Sequence, residues 1–208
     1  FQKMWNKFPK DDIFILHADM YPFEEGWLDK VVKYVNRFPK AGIIGCLLLY
    51  PATDKEGRYY IQSAGGRFDE NNRPDHFGSG LILETGTTFK ENIEVDTGQY
   101  DNVREVAWTT FGGCYIKREV IEAVGGFSTE YEWTYNRDVD FCLEARVAGY
   151  QILQIPVRLL HHESKDNKHV KATNPLKVDA EARNLQILQT KWANSKFYKN
   201  LDNIIENA

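Results

Sequence analysis

Four groups of side chains in this sequence have a type and spacing that can do chemistry. Asp19, in ILHADMYP, follows an apolar run that reads as a buried strand. In open α/β sheets ligands bind at the carboxyl ends of the strands. A carboxylate there either ligates a divalent cation on a phosphate or caps the following loop. His161 and His162 close a second strand-like run, QILQIPVRLLHH. If the two strands are parallel, Asp19 and the histidines share one rim, and imidazole beside carboxylate suits Mn2+ somewhat better than Mg2+. Only one of the two can point inward, because neighbours on a strand face opposite ways; the other reading is a surface pair in a polar loop. Asp138 and Asp140 open DVDFCLEARVAGY. Acids in a first helical turn are favoured by the helix dipole, which is reason enough for both. The same dipole would depress a carboxylate pKa and keep a general base ionised. Gly112 and Gly113 interrupt a strand region, where a ligand can approach the backbone or the chain simply turns. Trp133, within EYEWTY, either stacks on a sugar ring or packs over the sheet edge.

The elements that must position these residues follow from periodicity. DIFILH (12–17) and AGIIGCLLLY (41–50) are continuous apolar runs, as in strands buried on both faces of a parallel sheet. Between them GWLDKVVKYVNRF places Trp27, Leu28, Val31, Val32, Val35 and Phe38 at helical spacing, and Pro39 stops that helix. The result is a βαβ unit. Residues 51–103 hold the turn signals DKEG, GG, DENNRP and GSG and read as a long irregular insertion over one face of the sheet, with short strands such as YYIQSA. EVAWTTFGGCYIK (105–117) is a broken strand region, and REVIEAVGGF a short helix stopped by Gly125 and Gly126. The helix 138–150 follows, then a strand over 151–162 in which Pro156 predicts an edge or a bulge. Ala182, Leu185, Leu188 and Trp192 mark a last amphipathic helix.

Composition narrows the classes. Hydrophobic residues make up 42% and aromatic residues 13% of 208, which excludes a disordered chain. Lys and Arg number 26 against 30 Asp and Glu, which argues against a generally basic nucleic-acid binder. Cys46, Cys114 and Cys142 are odd in number and lie in apolar surroundings, which favours a reducing compartment, the cytoplasm or the cytoplasmic face of a membrane. The chain begins with Phe1 and reads as a fragment, so that peripheral membrane association would come from segments outside it.

Taken in order, the motifs ILHADMYP, GWL, AGIIGCLLLYP, IQSAGGRF, HFGSG, EVAWTTFGGCYIKREVIEAVGGF, RDVDFCLEARVAGY, VRLLHHES and NLQILQTKW resemble the inverting family 2 glycosyltransferases of GT-A fold, particularly the rhamnosyltransferase-like branch. The resemblance implies an α/β fold: a truncated Rossmann-like mixed sheet flanked by helices, over residues 1–192, with the insertion at about 51–103 and a C-terminal tail at 193–208. It implies transfer of a sugar from a nucleotide-sugar donor to a glycan or lipid-linked glycan acceptor, in polysaccharide biosynthesis of the cell envelope, with Mn2+ or Mg2+. Asp19 would ligate metal and diphosphate, and His161, with His162 as alternative, would join it. Asp138 would be the base that activates the acceptor. Gly112, Gly113, Trp133 and Arg137 would line the substrates. Three departures stand out. His17 and Ala18 leave only the last acid of a D-x-D pattern. Arg137 replaces the family's glutamate, and an extra residue after Phe127 leaves the base open between Asp138 and Asp140. The roughly three strands that carry the family's nucleotide-base pocket are absent before residue 12, which also fits a non-catalytic nucleotide- or glycan-binding remnant, or a purely structural interaction domain.

Overall fold

A computed structural model of the chain describes residues 2–79, 93–132, 135–162, 175–201 and 204–205. After helix α1 (Gln2–Lys7) come β1 (Ile13–Ile15), β2 (Met20–Pro22), α2 (Trp27–Arg37) and β3 (Ala41–Thr53). Next are β4 (Tyr59–Ser63), β5 (Gly66–Phe68), β6 (Pro74–His76), β7 (Arg104–Glu105) and β8 (Cys114–Ile116). Helices α3 (Arg118–Val124) and α4 (Arg137–Val147), strand β9 (Gln151–His161) and helix α5 (Pro175–Trp192) complete the order.

Seven strands form one mixed sheet in the order β1-β8-β3-β9-β2, with β4 added to β3 and β7 to β9. β3 and β9 are parallel, and β8 is antiparallel to both β1 and β3. Strands β1, β3 and β9 therefore run in one direction and end on one rim. β3 is buried over ten consecutive residues, which explains its unbroken apolar run. Its side chains alternate: Ile43, with Ile116 and Ile152, packs beneath α3, α4 and α5, while Ile44, Cys46 and Leu48 pack with Val31, Trp27 and Tyr34 of α2. This is a sheet with helices on both faces. Strand β1 departs from expectation. It lies at the end of the sheet, pairs antiparallel with β8, and only Ile15 is fully buried.

Pro156 sits at a bulge, as its missing N–H requires. Cys46 pairs with Ile155 and Leu47 with Arg158, so the ladder skips the proline on the β3 side. The opposite edge of β9 is paired by β7 at Leu153 and Gln154 and by β2 from Leu159, leaving Pro156 between them.

The stretch after residue 50 is more regular than its turn signals suggest. β3 runs on to Thr53, and β4 folds back on it through a turn in which the Asp54 carboxylate accepts the N–H groups of Glu56 and Arg58. Asp69 makes the same turn between β5 and β6, with Asn71 and Arg73 as donors. Residues after α5 are pinned to this hairpin: the Asn200 amide bonds both the N–H and the carbonyl of Phe68. Buried Arg146 of α4 donates to the carbonyls of Phe197 and Lys199.

Candidate metal and base site

The shared direction of β1 and β9 brings three potential ligands together. The turn after β1 closes with the Met20 N–H on the His17 carbonyl, and the chain then enters β2, where Met20 lies opposite His161. The His162 N–H bonds the Asp19 carbonyl at 3.0 Å, tying the turn to the end of β9. As a result His17, Asp19 and His161 each offer a ligand atom, and these atoms lie within 4.8 Å of one another. His161 Nε2 is 3.5 Å from Asp19 Oδ1, and the rings of His17 and His161 are 5.9 Å apart. His161 Nδ1 is 2.6 Å from the side-chain oxygen of Gln62. His162 is not part of the group; its ring meets Tyr21 edge-on at 5.2 Å.

His17 entered the sequence reading only as a lost acid. The signal was nevertheless present: H-x-D just past a strand end offers two ligand types within one short turn.

The two glycines have a packing reason. A Cβ on Gly112 would lie 2.4 Å from Met20 Cε and 3.2 Å from His17 Nδ1. Gly113 has φ +80°, and a Cβ there would lie 2.6 Å from Leu159 Cδ1. The missing side chains thus make room for the protein's own groups, and only the backbone at these positions remains to meet a ligand. Trp133 lies outside the described residues.

Asp138 stands in the first turn of α4 and is partly exposed. Burial pushes its carboxyl up from the ordinary 3.8 to about 6, although the N–H groups of Val139 and Phe111 and the Thr110 hydroxyl favour the anion. This corrects the expectation that the helix dipole would depress it. Desolvation outweighs the dipole, and the Arg137 guanidinium is turned to the Tyr131 carbonyl. The chain from Thr110 to Gly112 links the two parts of the site: Thr110 and Phe111 meet Asp138, and Gly112 meets His17.

Asp140 is engaged elsewhere. It is 3% exposed and accepts from Trp192 Nε1 at 2.7 Å and from Lys191 Nζ at 2.9 Å, both at the end of α5. Lys191 also reaches Glu144 at 2.8 Å. The two carboxylates behave oppositely because two positions along a helix is a turn of about 200°.

No family model matches the chain. It is 28% identical over 184 residues to an uncharacterized protein, y4gI, of Sinorhizobium fredii, a match that takes in 88% of this chain and 18% of that protein. It is 27% identical over 161 residues to the O-antigen biosynthesis protein RfbC of Myxococcus xanthus, covering 75% of this chain and 11% of that one. The chain therefore spans less than a fifth of the length of either relative. Among solved structures it resembles GalNAc-T7, crystallised with UDP, GalNAc and Mn2+. The TM-score is 0.51 at 13% identity, over 77% of this chain and 29% of that one. At that identity the likeness concerns the fold, which is GT-A-like. No helix among the described residues is long and apolar enough to cross a membrane.

Proposed function

We propose that the chain carries the metal-holding and base-bearing rim of an inverting glycosyltransferase, one that moves a sugar from a nucleotide-diphosphate donor to an acceptor hydroxyl. The observation that supports this reading best is a convergence. His17, Asp19 and His161 gather within 4.8 Å at the end of parallel strands, and the turn that meets His17 also meets a carboxylate raised to about 6.

Two imidazoles and a carboxylate are a donor set that fits Mn2+ and accommodates Mg2+ less well. Bound there, such a cation would supply neutralisation of the charge that develops on a leaving diphosphate. The residues of the chain do the rest. His17, Asp19 and His161 hold the rim rigid, since the backbone bonds of Met20 and His162 fix their turn. Asp138 takes the proton of the acceptor hydroxyl as the new bond forms. A general base works best with a pKa near the working pH, and one at about 6 is both ionised at neutrality and a better acceptor than an ordinary aspartate. The logic is that of inverting glycoside hydrolysis with the acceptor hydroxyl in place of water. Gly112 and Gly113, by their backbone, together with Trp133 and Arg137, complete the proposed substrate contacts. The printed name of the Myxococcus relative favours a role in polysaccharide biosynthesis; the acceptor we propose is a glycan or lipid-linked glycan, handled at the cytoplasmic face of a membrane. A hexosyl or rhamnosyl donor is the proposed substrate class.

Isothermal titration tests the reading. Nucleoside diphosphates should bind this chain weakly, only with Mn2+, and almost independently of the base. Asp19→Asn and His161→Ala should each remove that binding. Tight, base-specific binding without Mn2+, or an Asp19→Asn variant that binds as the parent does, would overturn it.

A further inference from the structure

Gln62 meets the cluster from a strand far away in sequence. β4 lies antiparallel to β3 with Leu48 opposite Ser63 and Leu49 opposite Ile61. One step on β3 thus answers two on β4, and Gln62 is the residue left without an opposite number. This is a β-bulge, a device that re-aims a side chain and recurs beside active sites. Here it aims the carboxamide oxygen to 2.6 Å from His161 Nδ1, 99 positions along the chain. With its oxygen toward the ring the amide accepts, which assigns the proton to Nδ1, and in a neutral imidazole the lone pair is then on Nε2. Nε2 is the atom that lies 3.5 Å from Asp19 Oδ1.

We infer that Gln62 is the positioning residue of the cluster: it takes the Nδ1–H of His161 and so presents the Nε2 lone pair to a divalent cation shared with His17 and Asp19. The inference rests on the reading of the cluster as a metal site. An oxygen acceptor on the far ring nitrogen fixes the tautomer and orientation of a metal-binding histidine and makes it a better ligand. Loss of such an acceptor typically lowers metal affinity about 10–100-fold. A glutamine that merely filled space beside the ring would leave the tautomer free.

Two readouts test this on the 208-residue chain. The first is the tautomer of His161 in the metal-free protein, read from its imidazole nitrogen shifts by NMR at about pH 8.5, above the ordinary imidazole pKa of about 6.5. The parent should show Nδ1–H, and Gln62→Leu should move the proton toward Nε2, the form an unconstrained histidine side chain favours. The second is Mn2+ binding by calorimetry. Gln62→Leu should bind about 10–100-fold more weakly, while Gln62→Glu, which keeps an acceptor, should bind at least as well as the parent. If the leucine variant does not fold, the parent tautomer and the glutamate variant still decide. Nε2–H in the parent, or Mn2+ binding by the parent with undiminished affinity in Gln62→Leu, overturns the role of Gln62 alone. A parent that binds no Mn2+ overturns the metal reading and this inference together.

Discussion

Replacing Asp138 by asparagine should make the folded chain more stable at neutral pH while removing its basicity. Burial lifts this carboxyl from 3.8 to about 6, so the fold tolerates the neutral acid better than the anion. A tenfold change in proton affinity is worth about 1.4 kcal/mol. The rise from 3.8 to about 6 therefore sets an upper limit of about 3 kcal/mol on what the ionised group costs the fold. The carboxyl is partly exposed, water screens part of the cost, and about 1–2 kcal/mol is the expected size. Below 3.8 the group is protonated in the folded and unfolded chain alike, and its contribution is fully present; it is lost as pH rises through about 6. Asparagine is neutral throughout and keeps an oxygen for the Val139 N–H. Urea unfolding should therefore give parent and variant nearly equal stability at about pH 4 and a margin of about 1–2 kcal/mol for the variant at about pH 8. In a complete, active enzyme the rate should rise with pH around the same value of about 6. There the substitution should lower kcat by about 10²–10⁴-fold. A variant destabilised equally at both pH values would refute the argument: Asp138 would then be an ordinary helix-terminal acid, held by its N–H donors.

Two other substitutions separate architecture from chemistry. Asp140→Ala strands the Trp192 N–H in the core and should cost about 3–4 kcal/mol, whereas Asp140→Asn keeps that acceptor and should cost about 1–2 kcal/mol; both are read by denaturant unfolding, and neither should alter Mn2+ binding. Gly112→Ala must push aside the flexible end of Met20 and the His17 ring. It should cost about 1–2 kcal/mol and weaken Mn2+ binding in calorimetry; unchanged affinity would refute the coupling of this turn to the His17 ring.

The frame of this site was legible where burial is two-sided. β3 and most of β9 read as apolar runs because helices cover both faces; the common rim of Asp19 and His161 was legible only as a condition, that β1 and β9 run in one direction, which their pairing through β8 and β3 meets. Pro156 announced its bulge for a local reason, the missing donor. The antiparallel partner of β1 was not legible, since three residues carry no record of what lies beside them. The hairpin strands after residue 50 hid behind their turns, because short strands with register shifts lose the period of two. His17 was discounted by comparing it with an acid where its own donor capacity was the relevant property. The direction of the Asp138 shift depends on how many groups crowd the carboxyl, which no spacing rule reports. Gln62 became visible only once the pairing register exposed it as unpaired.

The grip of Asp140 on the end of α5 has a mechanical side. A helix packed on a sheet can roll about its own axis, and on α4 that freedom is opposed by the bonds to Trp192 and Lys191 on the side away from Asp138. A carboxylate stands about 6 Å from the helix axis, so a roll of about 20° would swing it by about 2 Å. Misplacement by about 1 Å can already cost a reaction about 10²-fold. In the proposed enzyme, helix α5 would therefore act on the rim as a torque stop, its bonds to Asp140 setting the angle from which Asp138 addresses an acceptor.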